Sequence, residues 1–73
     1  MRYVVVIEKG VRNYSAYVPD LPGCVSVGNT LDEVKAEIRE AIEFHLGGMR
    51  EDGLPVLQPS SLAEYVEVQE QAA

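Results

Sequence analysis

The sequence has a single cysteine, no tryptophan and no long apolar run, and these absences exclude several classes of protein. Cys24 cannot form a disulfide within the chain, and one cysteine with one histidine cannot complete the ligand set of a structural zinc site. The N-terminal apolar stretch covers only residues 3–7, so neither a membrane span nor a signal peptide is predicted. A lone thiol without a secretion signal is typical of a cytoplasmic protein.

The length of 73 residues predicts one domain. We expect this domain to occupy residues 1–73, with a folded core over about 2–68 and a frayed tail over 69–73. A chain this short buries only about 60% of its unfolded surface, so its own core is thin. With no disulfide and no metal site to stiffen it, we expect self-association into a homodimer or a higher even oligomer.

The net charge of −6 is unevenly distributed along the chain. Residues 1–31 hold three basic and two acidic side chains, whereas residues 32–73 hold three basic and ten acidic ones. An acidic surface repels phosphate backbones, which argues against direct nucleic-acid binding. It favours a basic partner protein, although a solvated helix face that keeps the protein soluble explains the same charge.

The distribution of apolar residues predicts three strands, one helix and a last strand. The β-branched residues 3–7 indicate a strand buried on both faces and central in its sheet, followed by strands over 14–18 and 24–27 and a final one over 65–68. In the strand over 14–18, the even-numbered residues point to one face and the odd-numbered ones to the other. Thr30 and Glu33 form a capping-box pattern that starts the helix, with the Glu33 carboxylate expected to accept from the Thr30 N–H. We extend this helix to about Asp52. A second such pattern at residues 61–64 could start one further helical turn. The apolar stripe of the helix comprises Val34, Ile38, Ala41, Ile42, His45 and Met49.

One stretch of the sequence is similar to the HicB-like antitoxin family. Residues 19–24 read Pro-Asp-Leu-Pro-Gly-Cys, and Gly28-Asn29-Thr30 leads into the helix. The middle of the helix carries Glu-Ala-Ile at residues 40–42, which also resembles the family. Gly-Leu-Pro at 53–55 and Pro59 follow, so the resemblance covers about residues 3–59. Asn29 stands where the family usually has aspartate, and Val34 where it commonly has alanine. Many members append a helix-turn-helix or ribbon-helix-helix domain, which this chain is too short to hold, so operator binding is not carried over.

The resemblance implies both a fold and a function. The fold is a two-layer α+β domain of order β-β-β-α-β, with one main helix on a mostly antiparallel four-stranded sheet that resembles part of a ribonuclease H fold. In that arrangement the first strand lies between the second and the last, and the last runs parallel to it after a right-handed crossover. Family members neutralise HicA, a small RNA-cleaving toxin with a double-stranded-RNA-binding-like fold. The implied function is therefore that of a non-catalytic antitoxin, without cofactor or metal, that blocks the RNA access of a basic HicA-type partner.

The predicted partner-binding surface is centred on the rigid loop after the second strand. Two prolines and a glycine hold this loop, which reduces the entropy lost on binding, and tyrosines beside such a loop are common interface anchors. We expect alanine at both Asp20 and Leu21 to weaken partner binding with little change in thermal midpoint. The candidate residues are Tyr14, Tyr17, Pro19, Asp20, Leu21, Pro22 and Gly23.

Three alternatives to an antitoxin stay open. The first is a stand-alone oligomer that binds another protein or a small ligand. The second is a thiol enzyme using Cys24, although a buried apolar role for Cys24 and a core or boundary role for His45 are favoured. The third is a divergent two-metal nuclease of the ribonuclease H type, whose carboxylates would be Glu8, Glu33, Glu37 and Glu67.

Overall fold

The computed structural model describes residues 1–70, which contain three strands and one helix. The strands β1 (Val6–Lys9), β2 (Tyr14–Tyr17) and β3 (Val25–Gly28) form one antiparallel sheet in the order β1-β2-β3. The helix α1 (Leu31–Glu51) packs against β3 and β2. The α+β class, the single main helix and the order of the first four elements are therefore confirmed. The predicted frayed tail lies partly outside the described residues, since it includes 71–73.

The sheet differs from the predicted one in its strand count and its centre. Residues 65–68 form no strand within the described chain, so the prediction of four strands was wrong, and the predicted right-handed crossover is absent from residues 1–70. The prediction of a central first strand was also wrong, because β2 lies in the middle and β1 at an edge. The first strand begins at Val6, and residues 3–5 are half-buried without strand pairing. After the helix the chain is held by contacts of Leu57 with Tyr3 and of Ser60 and Ser61 with Asp20, and residues 62–70 then form no strand.

The core lies between the helix and the inner face of the sheet. Along β2 and the residue after it, Ala16 and Val18 are buried while Ser15 and Tyr17 are exposed, which confirms the predicted alternation. Ala16 pairs with Ile7 and Ser26 on this inner face. The seven buried side chains of the core are Ala16, Val18, Leu21, Cys24, Val34, Ile38 and Leu46. A core of this size agrees with the thin core expected from the length.

The helix begins at the predicted cap. The Thr30 hydroxyl accepts a hydrogen bond from the Glu33 N–H at 3.1 Å. The Glu33 carboxylate accepts from the Asn29 N–H at 3.2 Å, rather than from the Thr30 N–H as predicted. The Glu33 carboxylate thus accepts from the residue before the cap, and it still satisfies a backbone N–H at the start of the helix.

The buried row of the helix differs slightly from the predicted stripe. Val34 and Ile38 are buried as predicted, and Leu46 is the third buried residue of the helix, at a position the prediction omitted. Leu46 lies eight residues after Ile38 on the same face, whereas the prediction assigned this turn to the half-buried His45. The helix ends at Glu51, close to the predicted Asp52.

The helix lies over β3 because a glycine in that strand lets the two backbones approach. A Cβ placed on Gly28 would be 2.6 Å from the backbone N of Val34, a distance that no side chain can occupy. This approach seats the first turns of α1 on β3 and leaves the inner side of β1 less covered. A groove therefore opens between β1 and the helix.

Candidate protein-binding surface

The loop after β2 is closed by its own backbone. The Val18 N–H donates to the Cys24 carbonyl, the Leu21 N–H to the Val18 carbonyl and the Cys24 N–H to the Leu21 carbonyl, each at 3.1 Å. Gly23 has a φ of 81°, a left-handed conformation that strains any residue with a Cβ. These features give the rigid loop that the prolines predict.

The loop has an inner and an outer side. Leu21 is 0% exposed and packs in the core, so it holds the loop down from within. Pro19, Pro22 and Gly23 are exposed. Burial of Leu21 also means that alanine at this position removes core contacts, so the expected small change in thermal midpoint does not agree with the structure.

Asp20 is bound to a distant part of the same chain. One of its carboxylate oxygens accepts from the backbone N–H groups of Ser60 and Ser61, both at 2.9 Å. The other accepts from the two serine hydroxyls, at 3.0 Å for Ser60 and 2.8 Å for Ser61. These hydrogen bonds, led by the one from the Ser61 backbone, lower the pKa of Asp20 from 3.8 to about 2.

Residues 57–61 cross the end of the sheet to reach Asp20. The Tyr3 hydroxyl donates to the Leu57 carbonyl beside the start of β1, and Ser60 and Ser61 then bind the loop between β2 and β3. Ser61 is used in this contact and starts no helical turn, so the second predicted capping box was wrong. The pairing of Asp20 with two serines was missed, because no local pattern joins residues 40 and 41 positions apart.

The outer face of the sheet, away from the helix, carries a group of exposed apolar side chains next to the polar Glu8 and Ser15. Tyr17 pairs with Val25 across the strands, and these side chains are 41% and 65% exposed. Val27 adds a second valine on the same face, also 65% exposed. Tyr14 lies on the opposite face, half-buried against the core. The two candidate tyrosines therefore face different sides of the sheet, and only Tyr17 lies on the exposed apolar surface.

The environment of Cys24 opposes the catalytic role considered for its thiol. Cys24 is buried, and desolvation raises the pKa of its thiol, which opposes formation of the reactive thiolate. Within residues 1–70, no three His, Cys, Asp or Glu side chains are grouped so that they could hold a metal ion. In the same part of the chain, no helix combines the length and apolar character needed to cross a membrane. The exposed tyrosine and valines beside a rigid loop have instead the composition of a protein-binding surface.

Known proteins resemble this chain in sequence over most of its length. An uncharacterised 14.9 kDa protein of Haemophilus phage HP1 is 41% identical over 66 residues, which is 90% of this chain and 50% of the phage protein. A UPF0150 protein of Helicobacter pylori is 48% identical over 52 residues, 71% of this chain and 72% of that protein. A UPF0150 protein of Archaeoglobus fulgidus is 43% identical over 47 residues, 63% and 68% of the two chains. The chain thus spans only half the length of the phage relative.

The fold resembles a solved structure, and a family model matches nearly the whole sequence. A chain of the HicA3 and HicB3 toxin-antitoxin complex superposes with a TM-score of 0.69 at 30% identity, covering 81% of this chain and 70% of that one. The model of the HicB-like antitoxin of bacterial toxin-antitoxin systems matches residues 3–73. This match contains the loop at residues 18–24, the helix and the segment that binds Asp20. The chain therefore belongs to the HicB-like antitoxin family.

Proposed function

We propose that this chain is an antitoxin that binds a small, basic HicA-type toxin and prevents it from cleaving RNA. The observation that carries the proposal is the similarity, at a TM-score of 0.69, to a chain of the HicA3 and HicB3 complex. Residues 1–73 act as one binding module, without cofactor, metal or direct contact to nucleic acid. An RNA-cleaving partner is made and acts in the cytoplasm, so this function places the chain there.

Charge supports the choice of a basic partner. The chain carries a net charge of −6, which attracts a basic protein at long range, and the acidic Glu8 lies on the outer face of the sheet. A toxin that binds RNA needs a positive surface, and an acidic protein competes with RNA for that surface. The proposed mechanism is therefore stoichiometric occlusion, in which the antitoxin covers the toxin rather than modifying it.

The contact surface that we propose is the outer sheet face together with the exposed side of the loop. Tyr17 is the central anchor, with Val25 and Val27 beside it and the prolines of the loop at the rim. The candidate residues from the sequence then have two roles. Tyr17, Pro19, Pro22 and Gly23 contact the partner, whereas Tyr14, Asp20 and Leu21 keep the strand and the loop in place.

The proposal requires a cognate HicA-type toxin, and it is tested with that toxin and the purified chain. RNA cleavage by the toxin is measured while the chain is added at increasing molar ratio. We expect cleavage to fall in proportion to the added chain and to stop at a fixed stoichiometry, with association that slows as salt is raised. Unchanged cleavage at a several-fold excess of folded chain would contradict the proposed function.

A pair of aromatic substitutions tests the position of the surface. Tyr17→Ala removes the anchor of the outer sheet face, whereas Phe44→Ala removes a ring that is 85% exposed on the helix, on the other side of the sheet. We expect Tyr17→Ala to weaken toxin binding by more than about tenfold and Phe44→Ala to leave it nearly unchanged. The opposite ranking would move the interface to the helix while leaving the neutralising function intact.

A further inference from the structure

The groove between β1 and the helix is open, apolar at its floor and positively charged at its rim. Its volume is about 600 Å³. Val5 and Ile7 line it from the sheet side, and the helix contributes Ile38, Ile42 and Leu46. The rim carries three of the six basic residues of the chain, Arg2, Lys35 and Arg39, against one acid, Glu43.

The groove adjoins an edge of the sheet that has no neighbour in the described chain. β1 pairs only with β2, so its other side presents free backbone donors and acceptors. An added strand at this edge would complete the hydrogen-bond ladder and place alternate side chains over the groove. The position therefore suits an extended segment whose inward face is apolar in the middle and acidic at its ends.

Residues 62–70 of the same sequence have this pattern. The segment forms no helix or strand and is exposed throughout, with Val66 at 80% and Val68 at 81% exposure. In a strand, alternate residues share a face, so Glu64, Val66, Val68 and Glu70 would point the same way. Two valines flanked by two carboxylates match an apolar floor flanked by ammonium and guanidinium groups.

The segment is directed away from the groove of its own chain. Leu57 contacts Tyr3 near the start of β1, but Ser60 and Ser61 are already bound to Asp20, in the loop between β2 and β3. Beyond them, residues 62–70 form no pairing with β1 in the described chain and are exposed throughout. They instead extend from the body, and the described chain measures 56 × 28 × 17 Å. The segment is thus presented to another molecule.

We propose that residues 62–70 of one copy pair with β1 of a second copy and fill its groove. Exchange in both directions gives a two-fold dimer with two identical contacts. An acidic chain opposes its own association, and this contact avoids the repulsion because it joins carboxylates to half of the basic residues. The groove lies at the β1 edge of the sheet, opposite to the β3 edge. This leaves the outer sheet face free for the toxin.

A pair of matched valine substitutions tests the dimer. Val66→Asp places a charge in the proposed apolar contact, and Val11→Asp places the same charge at a valine that is 100% exposed in a turn. Sedimentation equilibrium at micromolar concentration should give twice the chain mass of 8.0 kDa for the unchanged protein and for Val11→Asp. We expect Val66→Asp to raise the dimer dissociation constant at least about tenfold. An unchanged protein of 8.0 kDa, or equal dimerisation by the two variants, would overturn the proposal.

Charge exchange tests which surface receives the segment. Lys35→Glu with Arg39→Glu should weaken the dimer, and adding Glu64→Lys with Glu70→Lys should restore it. These four side chains are exposed, so circular dichroism should show an unchanged fold in each variant.

A net-charge control separates this contact from general repulsion. In this control, Glu40→Lys and Glu51→Lys are added to the Lys35→Glu, Arg39→Glu protein in place of Glu64→Lys and Glu70→Lys. The net charge is then the same, but the new lysines lie at exposed helix positions outside the segment. These lysines should not restore the dimer of the Lys35→Glu, Arg39→Glu protein. Equal recovery of the dimer with either set of lysines would show that residues 64 and 70 do not pair with residues 35 and 39, and it would refute the groove as the binding site of the segment.

Discussion

The carboxylate of Asp20 binds the backbone and the hydroxyl of Ser61, at 2.9 and 2.8 Å, although 41 positions separate the two residues. The same carboxylate holds Ser60 in the same way. A side chain that begins in the loop after β2 thus fixes where the chain goes after the helix. It determines that the residues beyond Ser61 leave the body beside the β2–β3 loop rather than along β1.

Removing this charge should release the segment without unfolding the core. Asp20→Asn keeps the size of the side chain but replaces one strong acceptor oxygen by an amide. We expect faster amide hydrogen exchange at Ser60 and Ser61, with exchange in α1 unchanged. Asp52→Asn, at an exposed position after the helix, is the control and should leave both serine amides as they are. Unaltered exchange at the serines in Asp20→Asn would mean that other contacts hold this segment.

The same contact should depend on pH in the acid range. Because the pKa of Asp20 is lowered from 3.8 to about 2 in the folded protein, its contribution is complete above pH 4 and is lost as the pH falls toward 2. Carboxyl carbon shifts measured by NMR should titrate with a midpoint near 2. Protection of the Ser60 and Ser61 amides, corrected for intrinsic exchange, should decrease over the same range. In Asp20→Asn this protection should not depend on pH, and a pH-dependent loss there would assign the effect to another group.

Sequence patterns predicted the features of this fold that depend on contacts between residues close together in the chain. Thr30 and Glu33 mark the start of the helix because a cap is a contact between residues three positions apart. The alternation around Ala16 predicted the buried face of β2 for the same reason. The loop at residues 19–23 was found from its prolines and its glycine.

The remaining features depend on contacts that no local pattern contains. The apolar composition of residues 3–7 indicated a central strand, yet β1 lies at an edge, because residues 65–68, which were expected beside it, form no strand after Ser60 and Ser61 bind Asp20. Leu21 stood in the predicted contact loop, and only the folded chain shows it turned into the core. Of the candidate surface, sequence could therefore locate the loop and Tyr17 but not the two valines beside Tyr17.

Leu21 should contribute to stability far more than an exposed leucine. Leu21→Ala removes a side chain that is 0% exposed and leaves a cavity beneath the loop, at a cost of about 2–5 kcal/mol. Leu62→Ala makes the same chemical change at a residue that is 90% exposed and should cost less than about 0.5 kcal/mol. Thermal unfolding followed by circular dichroism should show a midpoint lower by more than about 10 °C for the first variant alone. Similar midpoints for both variants would contradict the burial of Leu21.

Alanine should have opposite effects at two of the glycines. At Gly28 the new Cβ would meet the backbone N of Val34 at 2.6 Å, so the helix must move from β3, at a cost of about 1–3 kcal/mol. At Gly48, within the helix, a Cβ meets nothing within 4 Å, and the gain in helix propensity should stabilise the fold by about 1 kcal/mol. Urea unfolding should therefore move to a lower midpoint for Gly28→Ala and to a higher one for Gly48→Ala, with similar slopes. The two changes add the same methyl group, so each is a control for the other. A shift of the midpoint in the same direction for both would show that the close approach at Gly28 does not determine the position of α1 on β3.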